Sequence, residues 1–100
     1  MAKTYYVLRR ANGDILTVDI EGRQAIAIWE DERAVRRSKL TNPELIVYVP
    51  APLTRQLVER RFPDRDVSFF LVDSRDPDLK TGRRMSPADV FPEPELAEAA

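Results

Sequence analysis

The chain has 100 residues, of which 43% are hydrophobic and 33% charged, a composition typical of one globular domain with a single core. It contains neither histidine nor cysteine, which excludes imidazole and thiol catalysis, His or Cys metal ligands, disulfides and Cys-ligated iron–sulfur clusters. The net charge of −1 is spread evenly, whereas a dedicated duplex-DNA-binding domain shows a basic excess.

The first thirty residues carry the signals of an antiparallel meander. Segments that are rich in β-branched and aromatic residues, or that alternate between apolar and polar residues, predict strands at residues 4–10, 15–20 and 24–29. Asn12-Gly13 separates the first two strands and favours a type I′ turn, which needs positive φ at both central positions. Glu21-Gly22-Arg23 predicts the second turn.

A helix and a buried strand are expected next. Asp31 is a suitable N-cap for a helix that runs to about Leu40, and Asn42-Pro43 is expected to end it. Residues 45–49 are apolar at every position, which is typical of a central strand covered on both faces. Trp29, at the end of the third strand, is expected to pack in the core.

The second half of the chain begins with another predicted helix. Pro50 and Pro52 fit a helix start, and Pro63 is expected to end the helix. Residues 67–72 are largely apolar and predict a further strand.

A loop and a short helix complete the predicted elements. Residues 73–84 form a polar loop, which we interpret as the tip of a hairpin with its return arm at residues 83–85. Ser86-Pro87-Ala88-Asp89 has the pattern of a helix N-terminus, with a capping serine, a proline in the first turn and an acid three residues on. The acidic tail, residues 92–100, is expected to be frayed or marginally helical.

The predicted order is β-β-β-α-β-α-β-(β)-α. It indicates an α+β fold with a mixed sheet, in which an antiparallel three-stranded meander is followed by strand–helix–strand crossovers. We expect residues 1–91 to form one domain. No apolar run reaches the roughly 18 residues of a membrane span, and the first residues lead into a strand rather than a signal peptide. These features predict a cytoplasmic protein without membrane contact.

Arginine accounts for thirteen of the sixteen basic residues. Guanidinium groups recognise phosphate and carboxylate with paired hydrogen bonds, so clustered arginines are candidates for anion binding. The candidate anion-binding residues are Arg33, Arg36 and Arg37 at helical spacing, with Arg83 and Arg84 from the second half of the chain. The alternative is a solvated helix face in a protein from a GC-rich genome.

Two tyrosines are candidates for a partner surface. Tyr5 and Tyr6 are adjacent on a predicted strand, so their rings are expected on opposite faces, with one of them exposed to a partner. The acidic loop at residues 73–78 lacks the spacing of an EF-hand, and Thr81-Gly82-Arg83-Arg84 lacks the glycines and the Lys-Ser/Thr pair of a P-loop. The sequence therefore predicts no metal site and no cofactor.

The stretch Ile26-Ala27-Ile28-Trp29-Glu30-Asp31-Glu32-Arg33-Ala34 combines a strand that ends in an aromatic residue, an acidic helix start and an inward-facing alanine. In this it resembles small bacterial domains of the SseB-like group and some short cyanobacterial proteins. The later order of strand, helix, apolar strand and short Ser-Pro helix is also similar, so the resemblance covers most of the chain as a layout. It implies an α+β fold and no established catalytic residues.

Two functional hypotheses follow. The first is a non-catalytic interaction or adaptor module that binds a protein partner or a second copy of itself, since most catalytic groups are missing and edge strands can pair between subunits. The second is an anion-binding module for a nucleotide or single-stranded nucleic acid, which would use the arginines and an exposed tyrosine. Carboxylate or Mg²⁺ chemistry is the remaining enzymatic alternative, and no converging cluster of residues indicates it.

Overall fold

The computed structural model describes residues 4–62 and 67–91, and it confirms the α+β fold class. The elements in chain order are β1 (Tyr6–Arg9), β2 (Thr17–Ile20), β3 (Arg23–Ile28), α1 (Glu32–Thr41), a 3₁₀ helix (Pro43–Val47), β4 (Val49–Pro52), α2 (Arg55–Arg61), β5 (Phe69–Val72), β6 (Gly82–Met85) and α3 (Pro87–Val90). The predicted helix end at Pro63 and the predicted tail, residues 92–100, lie outside the described residues.

Four strands form a mixed sheet in the order β2-β3-β5-β6. The two outer pairs are antiparallel, whereas β3 and β5 run parallel and are joined through α1, β4 and α2 as a crossover connection. β1 and β4 form a second, antiparallel sheet. Single antiparallel bridges, Arg9 with Ile15 and Tyr6 with Trp29, connect β1 to the chain beside β2 and β3. The first three strands are consistent with the predicted meander.

The type I′ geometry lies at the second turn of the meander and not at the first. The prediction of a type I′ turn at Asn12-Gly13 is wrong, because only Gly13 has positive φ, at 94°. The Asn12 side chain instead accepts the Asp14 N–H at 3.0 Å, a local bond that favours a different turn. The following turn has positive φ at both Glu21 (55°) and Gly22 (80°), which is the type I′ pattern.

Helix α1 begins as predicted, with Asp31 as its N-cap. The Asp31 carboxylate accepts the Ala34 N–H at 2.8 Å, and the last helical residue is Thr41. Its inner face is fixed by a hydrogen bond in which the Trp29 indole N–H donates to the Ser38 hydroxyl at 2.9 Å. Both side chains are fully buried, which confirms that Trp29 packs in the core.

Residues 45–49 do not form the predicted central strand. Asn42 accepts the Glu44 N–H at 3.0 Å and Pro43 supplies the fixed φ of a first helical position, so the chain begins a 3₁₀ helix instead. Only Leu45 of this helix is buried, while Ile46 is 78% exposed. The apolar composition of residues 45–49 therefore did not predict which of their side chains are buried.

The prolines that follow belong to strand β4 rather than to a helix start. Pro50 pairs with Leu8 and Pro52 with Tyr6 in the register of β1 and β4. Helix α2 starts later, where the Thr54 hydroxyl accepts the Leu57 N–H at 3.1 Å. The prediction that these prolines begin a helix is wrong, because proline is also compatible with an edge strand whose N–H positions face away from the neighbour.

The core divides into two clusters, and β3 contributes to both. Ile26 and Ile28 pack in the first cluster, whereas Ala25, Ala27 and Trp29 pack in the second. This alternation is the period of two expected of a strand whose faces are both covered.

The helices are divided between the same two clusters. Val58 of α2 and Val90 of α3 belong to the first cluster, and Val35 of α1 and Leu45 of the 3₁₀ helix belong to the second. Helices therefore pack on both sides of the strands. Among the described residues, no helix has the length and apolar character needed to cross a membrane.

Candidate functional site

A cleft lies beyond the carboxyl ends of the two parallel strands. After β3 the chain continues through Glu30 and Asp31 into α1, and after β5 it continues through Asp73 and Ser74. These residues, with α1 and β6, line a cleft of about 520 Å³. The crevice outside the carboxyl ends of parallel strands is where open α/β sheets commonly bind ligands.

Four arginines line this cleft, which we call the arginine cleft. Three of them, Arg33, Arg37 and Arg83, were candidates from the sequence, and the fourth is Arg75. Arg33 and Arg37 are four residues apart in α1, which places both side chains on one side of the helix. The structure therefore brings together two distant parts of the predicted anion-binding set.

Arg37 is held by a buried hydroxyl. Its Nη1 donates to the Ser74 Oγ at 3.0 Å, and Ser74 is only 6% exposed. Ser74 follows directly after Asp73 at the end of β5, so this bond joins α1 to the edge of the sheet. It fixes the Arg37 guanidinium at the wall of the arginine cleft.

Arg75 is paired with Asp73 in a two-pronged contact. Arg75 Nε donates to Oδ1 at 3.1 Å and Nη2 donates to Oδ2 at 3.0 Å, while the Arg75 backbone N–H also reaches Oδ1 at 3.0 Å. The side-chain bonds, followed by the backbone bond, lower the pKa of Asp73 to about 2 and raise that of Arg75. The pair is therefore ionised across the physiological range.

The side chains of Arg33 and Arg83 lack the local partners that Arg37 and Arg75 have. Neither side chain donates a hydrogen bond to, or forms an ion pair with, any residue in the described ranges 4–62 and 67–91. Arg83 contributes only a longer-range attraction that lowers the pKa of Asp89, after the larger effects of the Ser86 N–H and hydroxyl. Both guanidinium groups remain able to bind an anion in the arginine cleft.

The other two candidate arginines lie elsewhere. Arg36 lines a separate groove with Lys39, Leu40 and Pro50. Arg84 donates to the Ile20 carbonyl at 2.9 Å and lies 3.7 Å from a Glu21 carboxylate oxygen. Adjacent positions on a helix or strand point in different directions, but which of them faces the cleft depends on how the element is placed in the fold.

In the acidic loop after β5, the Asp76 carboxylate accepts hydrogen bonds from the loop itself. Asp76 accepts the N–H groups of Asp78 at 2.9 Å and Lys80 at 3.1 Å. A hydrogen bond from the Thr81 side chain is the largest cause of its lowered pKa, followed by the Asp78 N–H. No group of three or more potential metal-ligating side chains is present in the part of the chain that the structure describes.

Four exposed apolar side chains lie close together in the sequence, and we call them the apolar patch. It consists of Leu40 (81% exposed), Ile46 (78%), Val47 (56%) and Val49 (56%). These are all of the exposed large hydrophobic residues in the described ranges, and they fall within ten consecutive positions. The sequence did not predict this surface, since Ile46, Val47 and Val49 belong to the segment that suggested a buried strand.

The two candidate tyrosines pack on opposite sides, as adjacent strand residues do. Tyr5 packs against the first core cluster and Tyr6 against the second, and both are half-buried. The Tyr6 backbone also exchanges two hydrogen bonds with Trp29, at 3.0 and 2.8 Å. Neither ring belongs to the apolar patch, and neither lines the arginine cleft.

No protein-family model matches the chain, and searches of curated proteins and of solved structures give no significant match. The resemblance to SseB-like bacterial domains stays a prediction. The two surfaces described above are therefore interpreted from their own geometry.

Proposed function

We propose that the protein is a non-catalytic interaction module that binds a second copy of itself through the apolar patch. The observation that carries the proposal is the concentration of every strongly exposed large hydrophobic side chain of the described residues in one ten-residue segment. Scattered exposed apolar residues are ordinary, whereas grouped ones mark interaction surfaces. The cytoplasmic setting expected from the sequence, and the bacterial source that the resemblance suggests, are part of this proposal.

The edge of β4 favours packing of side chains over pairing of strands between subunits. The Leu53 N–H points at β1, where it donates to the Tyr5 carbonyl at 2.8 Å. Because N–H positions alternate along a strand, the nitrogens of Pro50 and Pro52 face the free edge. Proline has no N–H, so this edge offers no donors to a strand from another chain.

The charges beside the apolar patch suit a two-fold interface. The groove next to Leu40 contains Glu32 together with Arg36 and Lys39, and the exposed Glu44 stands at the start of the 3₁₀ helix. A patch with charges of both signs can pair with its own copy across a two-fold axis. The net charge of −1 adds little repulsion between copies.

The size of the apolar patch predicts a weak dimer. Full burial of a Val, Leu or Ile side chain contributes roughly 1.5–3 kcal/mol, and association costs about 4–15 kcal/mol. The eight partly exposed side chains of two copies contribute at most roughly 12–24 kcal/mol on this scale, from which the cost of association is subtracted. We expect a dissociation constant in the micromolar range, which corresponds to about 8 kcal/mol.

Sedimentation equilibrium from micromolar to millimolar concentrations tests this proposal. The unmodified protein should pass from monomer to dimer, and Ile46→Asp should weaken the dimer by about tenfold or more because it buries a carboxylate. Leu40→Gln is a milder second variant. Ala11→Asp places the same carboxylate on an exposed turn and should leave the dimer unchanged.

Two results would overturn the proposal. One is a protein that stays monomeric at millimolar concentration. The other is an Ile46→Asp variant that dimerises as tightly as the unmodified chain, since that would place the contact on another surface. Circular dichroism of each variant establishes that its fold is retained.

A further inference from the structure

We propose that the arginine cleft binds the phosphoryl group of a small organic phosphate of nucleotide size. This site is separate from the apolar patch and does not depend on dimer formation. Three arginines, Arg33 and Arg37 of α1 and Arg83 of β6, line one concave surface. Planar guanidinium groups bind phosphate oxygens through short, charge-assisted hydrogen bonds.

One donor in the cleft is already positioned before a ligand arrives. The Arg37 guanidinium is held by the buried Ser74 hydroxyl at 3.0 Å. The Ser74 oxygen accepts this bond and donates none to a described residue, so its own hydrogen can turn to a ligand oxygen. Restricting Arg37 in advance reduces the entropy that a ligand must overcome.

The carboxylates of the cleft are engaged by other groups. The cleft is lined by four arginines and three carboxylates, those of Glu30, Asp31 and Asp73. Asp73 is paired with Arg75, Asp31 caps α1, and Glu30 also has a partner. The arginines that lack a local partner therefore give the cleft its affinity for anions.

The shape of the site favours a small molecule over a nucleic-acid strand. A volume of about 520 Å³ lies within the range of small-ligand pockets, which is roughly 300–1,000 Å³. A single strand requires a positive groove along which several phosphates can lie. Arg36 and Arg84 lie at other sites, so they do not extend the cleft into such a groove.

Titration with inorganic pyrophosphate tests the proposal, with calorimetry for affinity and NMR of the arginine Nε–Hε groups for location. Pyrophosphate and ADP should bind and shift the signals of Arg33, Arg37 and Arg83, whereas adenosine should not bind. Arg33→Ala and Arg83→Ala should each weaken pyrophosphate binding by about tenfold, since each removes a charge-assisted hydrogen bond. Arg36→Ala and Arg84→Ala are matched controls and should change affinity less than about twofold.

The same experiment can overturn the proposal in three ways. Absence of binding at millimolar pyrophosphate would refute an anion site. Equal losses in the control variants would show diffuse attraction by surface charge instead of a defined cleft. Binding of a single-stranded oligonucleotide without binding of pyrophosphate or ADP would favour a polymer ligand.

Discussion

The hydrogen bond between Trp29 and Ser38 provides a direct test of how the core is held together. Both side chains are fully buried, and the indole N–H reaches the hydroxyl oxygen at 2.9 Å. Ser38→Ala would leave a buried N–H without its acceptor, which costs about 1–3 kcal/mol. For a domain of this size, each kcal/mol lowers the melting temperature by roughly 4–8 °C.

Urea unfolding followed by tryptophan fluorescence measures this loss, because Trp29 is the sole tryptophan. Thr41→Ala is the matched control: it removes a hydroxyl from the same helix, but an exposed one whose bonds at 3.2 and 3.3 Å reach only helix carbonyls. It should cost less than about 0.5 kcal/mol.

A double-mutant cycle separates the hydrogen bond from packing. In a Trp29→Phe background the indole N–H is missing, so Ser38→Ala should cost markedly less than in the unmodified protein. Circular dichroism replaces fluorescence as the probe in that background. A Ser38→Ala loss below about 0.5 kcal/mol, or an equal loss in both backgrounds, would refute the view that this bond stabilises the core.

Three further changes have defined outcomes. Gly82→Ala should destabilise the protein by about 3 kcal/mol or more, because the new Cβ would lie 2.1 Å from a backbone carbonyl oxygen of the adjacent strand. Gly22→Ala is the control: its Cβ meets no atom within 4 Å, so it should cost only about 1 kcal/mol, from the positive φ at this position. Both are measured by urea unfolding, and equal losses would contradict the contact. The pKa of Asp73 lies at about 2 instead of 3.8, so the contribution of Asp73 to stability is present above pH 3.8 and is lost as the pH falls towards 2. Asp73→Asn should therefore flatten the pH dependence of the urea midpoint between these two pH values. An unchanged slope would refute the stabilising role of the Asp73 carboxylate. Ser86→Ala should cost about 1 kcal/mol in thermal unfolding, since it removes the capping side chain of α3, and an unchanged melting temperature would contradict that assignment.

Features fixed by a few neighbouring residues could be predicted from the sequence. Asp31 and Ser86 cap their helices as expected, because a cap depends on an oxygen and an N–H two or three residues away. The strands at residues 15–20 and 24–29 followed in the same way from alternation and a tight turn. Such interactions need only residues that lie close together in the sequence.

Features that depend on distant partners could not be predicted. Ile46 and Val47 are as apolar as any core residue, and only the placement of the 3₁₀ helix leaves them exposed. Pro50 has the same ambiguity, since a proline fits both a helix start and the free edge of β4. Exposure is a property of the assembled sheet, and no local pattern encodes it.

The candidate site also has one part that the sequence predicted and another that depends on distant partners. Helical spacing brings Arg33 and Arg37 to one side of α1, and that much follows from the sequence. The parallel pairing of β3 with β5 adds Arg75 and Arg83 to them, and it joins segments more than forty residues apart. Arg75 was missed because its direction depends on the conformation of the loop after β5.

Helix α1 connects the two proposals physically while keeping them separate. One side of the helix presents Arg33 and Arg37 to the arginine cleft, and the other presents Arg36 and Leu40 to the groove beside the apolar patch. Its buried stripe, held by the bond from Trp29 to Ser38, lies against the second core cluster. A rigid helix packed in this way can support two surfaces whose ligands act independently, so Ile46→Asp should leave the affinity for pyrophosphate unchanged. Loss of both activities in that variant would instead indicate that α1 moves as part of a coupled unit.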